Sequence, residues 1–367
     1  MRAPAGYFET NRVFAVHAEH HAPLPDVIEP RWSYDQPVLP SDSYRIDCNA
    51  YAMTAEDLAP DSALAERMRR TFDATGLVLL VNTRLKDLEA MRGFAKHVMR
   101  REMDYTAGAN PRSPIETNVY DVGAPLTAWL HYHHEMAYVG ASTRMLAFLC
   151  HKAVPGRGHT YVSDNLQATD ALMQTELGAK LRDLGVCYHR NLTDRDAFHS
   201  QAPIGVYNHW QHSMATEDPA EAEAIAQSRG LRTEWGPKRL LKTRYYASAF
   251  EFFPQLERNL LFCSVADHGV WFDAWPMVMH LPYEERPLTL TFGDDSPFTR
   301  EELKLFIDVY DRYGIPIDWR VGDIAVVCNY RFAHGRPAIH LQTGEERELG
   351  VMLGEQFDRL GIVPGKW

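Results

Sequence analysis

The stretch AWLHYHHEMAY, Ala128 to Tyr138, sets three histidines and a glutamate within five positions between large hydrophobic side chains. Its composition predicts a buried strand. On a strand alternate side chains share a face, so His131, His133 and Glu135 would point one way and Tyr132, His134 and Met136 the other. Two neutral imidazoles and one carboxylate, with the remaining positions open, form the facial triad of non-haem Fe(II) oxygenases. A His-x-Glu pair supplies two of those three donors, and one more histidine must come from a distant strand. Spacing alone does not select this copy, because His17-Ala18-Glu19 in HAEHH repeats it. The strand-like, apolar setting of the second copy does, while His17 to His21 read as part of a solvated arm.

Working outward, the third donor is found in NYRFAHGRPAI, where His334 follows a strand-like run and precedes a Gly-Arg turn. Arg347 follows in GEERELGVML, with Leu349, Val351 and Leu353 alternating after it. A guanidinium on such a strand can fork onto a carboxylate. It could equally be a surface partner of Glu345 or Glu346.

Composition limits the setting. Across 367 residues, 45% hydrophobic and 24% charged content allow a large buried core. A net charge of -11, with no dense run of Lys and Arg, works against nucleic acid or an anionic membrane as the main partner. The five cysteines are far apart and form no CxxC pair, which suits a reducing cytosol. The first residues lack a secretory apolar run, and apolar runs such as GLVLLV are too short to cross a bilayer. The expectation is a soluble, cytoplasmic protein.

The remaining pattern predicts a mainly β fold with flanking helices. Residues 1 to about 45, rich in proline and histidine, read as an arm. DSALAERMRRTFDATG (61–76) has helical spacing and a terminal glycine, LVLLV (77–81) reads as a strand, and LKDLEAMRGFAKHVMRR (85–101) as a second helix. From Asn118 short runs rich in Val, Tyr, Trp and Leu alternate with turn residues, as in an antiparallel core. A mixed insertion is expected at about 195–285, including a helix between Pro219 and Gly230. A later helix opens with a capping box, Thr299 to Glu302, and stops at Gly314.

In this order, HHEMAY, GHTYVSDN, FGDDSPF, WRVGDIAVVCN, AHGR and ERELGVM resemble the TauD/TfdA (taurine dioxygenase) superfamily of Fe(II)/2-oxoglutarate-dependent oxygenases. HHEMAY, NHWQHSMATEDPAEAEAIAQSRGLRTEW and GVWFDAW are similar to its clavaminate-synthase-like and syringomycin-biosynthesis hydroxylase-like branch. The resemblance runs from about Thr117 to Leu353. It implies a double-stranded β-helix (jelly-roll) core of the clavaminate-synthase-like type, as one oxygenase domain over 46–367 carrying the insertion. It implies Fe(II), 2-oxoglutarate and O2 as cofactors, with His133, Glu135 and His334 as metal ligands. Arg347 would hold the distal carboxylate of 2-oxoglutarate, Thr160 would add a hydroxyl, and Arg336 is the second choice for a carboxylate contact. The implied reaction hydroxylates an unactivated C-H bond of an amino acid or amino-acid-derived molecule, free or carrier-bound, with release of succinate and CO2. Desaturation, cyclisation and C-N bond formation are alternative outcomes of the same cofactor chemistry. Halogenation is disfavoured, because it requires a missing carboxylate ligand. A metal-binding jelly-roll protein without turnover and a zinc hydrolase are the rival classes. Arg347 and Thr160 argue against the hydrolase, which needs no 2-oxoglutarate anchor.

The sequence departs from the family in three places. The His334 to Arg347 segment is longer than in many relatives, Asp273-Ala274 stand in place of an Asn-Gln pair, and Cys328-Asn329 replaces Asp-Asn. Substrate-pocket candidates are Trp210, Arg244 and Tyr245, with core packing as the other reading for the two aromatics. His131 is either a partner of Glu135 or substrate, or a satisfied core histidine. His134 is expected to point away from the metal.

Overall fold

The computed structural model describes residues 28–34, 38–104, 114–122, 126–197, 209–265 and 287–367. The HAEHH cluster, most of the arm, GVWFDAW and Asp273-Ala274 lie outside the described residues.

The leading helix forms at Ala63–Thr75, because Ser62 accepts the Ala65 N-H at its start and Gly76 ends it at φ +75. A Cβ at Gly76 would also meet Arg331 Cδ at 2.7 Å. The chain then enters the strand Leu77–Val81, buried along its whole length. That strand is covered on both edges, parallel to Arg45–Asp47 and antiparallel to Ile324–Cys328. The second helix is shorter than the sequence suggests, Leu88–Ala95. Asp87 caps its start, and i to i+3 bonds from His97 and Val98 tighten its last turn into an exit. The helices Pro219–Ser228 and Arg300–Arg312 form with an Asp218 cap and a complete Thr299–Glu302 capping box.

Among the described residues the β structure divides into sheets that do not close on themselves. The largest has eight strands. Ala141–Lys152 lies between Ile324–Cys328 and Glu348–Asp358 within it. A four-stranded sheet runs in the order Gly314–Ile317, Thr160–Asp164, Phe332–Arg336, Leu130–His133. A second four-stranded sheet contains Arg232–Trp235, Leu241–Ala247, Val186–Leu192 and Leu288–Phe292. One continuous apolar cluster joins the first two sheets, with Phe148 from the large sheet packed edge-on against His334 of the small one, centroids 5.6 Å apart. Among the described residues, no helix is long and apolar enough to cross a membrane.

Candidate metal and cosubstrate site

The strand predicted through AWLHYHHEMAY stops earlier, at His133. His134 follows it and Glu135 opens a turn, with Met136 at φ +57. Glu135 therefore does not reach the site by strand alternation. It is turned there, and burial runs almost unbroken from His131 to Val139 on both sides of the chain.

The antiparallel ladder then sets His334 directly opposite His133. Their rings lie 4.2 Å apart, and His334 Nε2 is 3.7 Å from Glu135 Oε2. Gly335 permits the approach, since a Cβ there would meet the Leu130 carbonyl oxygen at 2.5 Å. One ligand atom from each of His133, Glu135 and His334 falls within 4.8 Å of the others. His133 Nδ1 sits 2.7 Å from the His131 carbonyl oxygen, so it carries the proton and leaves the Nε2 lone pair for a metal. The donor set therefore fits a divalent iron ion.

His131 contributes its backbone to this arrangement. Its own imidazole is buried, and Trp129 Nε1 lies 3.2 Å from its Nε2. His134 turns away, with Nδ1 3.1 Å from the Cys263 carbonyl oxygen, and burial pushes its pKa down to about 3, keeping it neutral.

Arg347 immediately precedes the long strand Glu348–Asp358. Its Nε donates to the Gly158 carbonyl at 3.0 Å and its Nη2 to Thr160 Oγ1 at 3.4 Å. No carboxylate pairs with it among the described residues, and burial lowers its pKa to about 10, still charged at neutral pH. Thr160 Oγ1 also accepts a 2.9 Å bond from Trp319 Nε1, leaving its own proton to donate. A largely desolvated fork with an adjacent hydroxyl donor suits a carboxylate ligand.

Arg336 spends its Nη1 on the carbonyls of Leu126 (3.0 Å), Ala128 (2.5 Å) and Pro337 (3.2 Å). Burial, then the nearby Arg347 charge, lowers its pKa to about 9. It thus braces the backbone that leads into the ligand strand.

Trp210, Arg244 and Tyr245 fall outside the donor cluster of His133, Glu135 and His334. Trp210 is wholly buried in a separate cluster with Leu192, Met214 and Leu241, and its indole donates to Asp194. Arg244 is half exposed and 3.6 Å from Asp295, while Tyr245 stacks on Tyr188. Near Arg244, Cys187, His189 and Asp295 also converge. Burial raises the Cys187 thiol to about 11, and Tyr246 and Arg244 already face Asp295, so this is a hydrogen-bonded cluster.

The residue that sequence reasoning missed is Asn329. It was legible only as the second residue of the Cys328-Asn329 pair; the structure places its carboxamide on the backbone of Glu135.

Two imidazoles and a carboxylate converging within a mainly β fold make up the donor set of a non-haem Fe(II) oxygenase. The model of the taurine catabolism dioxygenase TauD, TfdA family matches residues 52–353, and the chain belongs to that family. It is therefore an oxidoreductase, a dioxygenase dependent on Fe(II), 2-oxoglutarate and O2. Among solved structures, a taurine dioxygenase from Burkholderia xenovorans is similar at 14% identity, covering 83% of this chain and 88% of that one with a TM-score of 0.45. AAD-2 in complex with Mn(II) and N-oxalylglycine is similar at 13% identity, covering 82% and 91% with a TM-score of 0.45. No curated protein matches the sequence.

Proposed function

We propose that His133, Glu135 and His334 hold the iron, that Arg347 and Thr160 hold the distal carboxylate of 2-oxoglutarate, and that the enzyme hydroxylates an unactivated C-H bond. The substrate is an amino acid or amino-acid-derived small molecule, and succinate and CO2 are released. The observation that carries the reading is the convergence of the three donor atoms within 4.8 Å across the His133–His334 ladder. The two sheets joined around it are read as the halves of a double-stranded β-helix, within one domain over 46–367 that carries the insertion at about 195–285.

Bound there, iron with 2-oxoglutarate and O2 supplies the oxidising power for C-H cleavage. The chain's own groups do the rest. The His131 carbonyl orients the His133 ring, and Phe148, set edge-on to His334, shields one side of the centre from water. The charged Arg347 fork and the Thr160 hydroxyl fix the far end of the cosubstrate, so that its reacting end meets the metal in one orientation. Whether the carbon is hydroxylated, desaturated or cyclised is decided by where the pocket holds it relative to the metal.

The test is an anaerobic titration of the apoprotein with Fe(II) and then 2-oxoglutarate, following the visible charge-transfer band of the chelate. A band that weakens in Arg347→Ala supports the reading. A folded, metal-binding protein without the band refutes it.

A further inference from the structure

The strand carrying His133 ends at that residue, so Glu135 lies past its ladder with Phe332–Arg336. Asn329, 0% exposed, accepts the Glu135 N-H on Oδ1 at 2.9 Å and donates from Nδ2 to the Glu135 carbonyl at 3.0 Å. The same Nδ2 donates to the Thr143 carbonyl at 2.8 Å, and the Asn329 N-H donates to the Arg144 carbonyl at 2.9 Å. One carboxamide thus binds both backbone groups of the residue whose carboxylate faces the two imidazoles. Ser142 Oγ adds a second donor to the Glu135 carbonyl at 3.0 Å.

The partners fix which way the amide points, since one face meets a donor and the other meets two acceptors. An aspartate of the same shape would set an oxygen against two carbonyl oxygens. Immediately beyond, Met136 takes a left-handed conformation (φ +57) that a non-glycine residue rarely adopts, so the turn needs external bonds to persist.

We infer that Asn329, assisted by Ser142, is the positioning residue for the Glu135 metal ligand: it acts through the backbone and sets where the carboxylate stands relative to His133 and His334. This inference rests on the metal-site reading above. An amide that orients a ligand in this way governs metal affinity and coordination geometry as well as stability.

The experiment is a titration of the apoprotein with Co(II) and Fe(II), reading affinity and the Co(II) visible spectrum, with circular dichroism and thermal melting as the check on folding. Asn329→Ala and the near-isosteric Asn329→Asp are expected to lose about tenfold or more in affinity and to shift the Co(II) spectrum while remaining folded. Glu135→Ala is the internal standard. If Glu135→Ala loses metal but folded Asn329→Ala binds within about twofold of the parent with the parent spectrum, the inference is overturned and the metal site stands. If Glu135→Ala itself binds like the parent, the metal-site reading falls and takes the inference with it. Should neither Asn329 variant fold, Ser142→Ala is decisive: it removes one hydroxyl bond to the same carbonyl, and an unchanged affinity and spectrum there overturn the inference.

Discussion

Replacing Arg347 with alanine is the most exposed prediction. The guanidinium is largely desolvated, has no carboxylate partner among the described residues, and spends one N-H on the Gly158 carbonyl and another on Thr160. The other edge of the fork is left for an incoming carboxylate. Truncating one member of a desolvated charge pair costs roughly 2 to 5 kcal/mol. At about 1.4 kcal/mol per decade, 2-oxoglutarate affinity should fall by roughly 30-fold to several thousand-fold. Arg347→Lys should fall between, because an ammonium keeps the charge but loses the fork. The assay is the anaerobic charge-transfer titration of Fe(II)-loaded protein, with Fe(II) affinity measured separately. Fe(II) binding should be unchanged in both variants, since Arg347 is absent from the donor cluster. A 2-oxoglutarate affinity in Arg347→Ala equal to that of the parent would refute the anchoring role.

Removing the Thr160 hydroxyl as Thr160→Val should weaken 2-oxoglutarate by about fivefold, the worth of one hydrogen bond, and lower the melting temperature by stranding the Trp319 N-H; unaltered affinity would exclude the contact. Trp210→Ala should cost about 3 to 5 kcal/mol of stability, read by denaturant unfolding, yet leave the charge-transfer band intact; a variant of parental stability would show that Trp210 is not core. Asp323, 2% exposed, has its carboxyl pushed up to about 6 by burial, partly offset by the Arg320 N-H. A carboxyl whose folded pKa lies above its unfolded value contributes stability that is full below about pH 4 and lost as pH rises through 6. Asp323→Asn should therefore melt higher than the parent above pH 6 and close to it near pH 4, and a gap independent of pH would contradict the burial argument. Chelation should abolish turnover, with Fe(II) restoring it and Zn(II) failing to; restoration by Zn(II) would favour a hydrolase.

Much of the scaffold was legible from local chemistry. Thr299 and Glu302 form the capping box read from the sequence, Pro219 stands at the first turn of its helix, and Gly76 ends its helix in the left-handed conformation for which glycine is suited. The strand Leu77–Val81 could be read because a short apolar run between turn signals is covered on both edges. The caps and helix ends are contacts between residues close in sequence, carried by residue type, whereas the partners of this strand lie far along the chain and only its apolar run was readable. The end of the ligand strand was not legible. Met136 and Tyr138 stay buried past His133, so the hydrophobic pattern continues although the backbone has turned. The second helix was read too long for a related reason: apolar residues at Val98 and Met99 remain buried beyond its end at Ala95.

The same distinction separates the parts of the site. His133, Glu135 and His334 could be nominated because their chemistry is rare among apolar neighbours, and Arg347, set among glutamates, through the family resemblance, whereas the residues that orient them look ordinary. Asn329 acts on Glu135 through the backbone, Gly335 acts by lacking a Cβ, and the His131 carbonyl could belong to any residue. Their effect depends on sheet register, because His334 meets His133 only if Phe332–Arg336 pairs with Leu130–His133 in this alignment. A one-residue slip would turn His334 to the opposite face and dissolve the cluster. Gly335 guards against that slip, since the Leu130 carbonyl oxygen leaves no room for a side chain at that position. Donor identity and donor geometry are therefore set by different residues, and a substitution at Gly335 or Asn329 should weaken metal binding with every proposed ligand still in place.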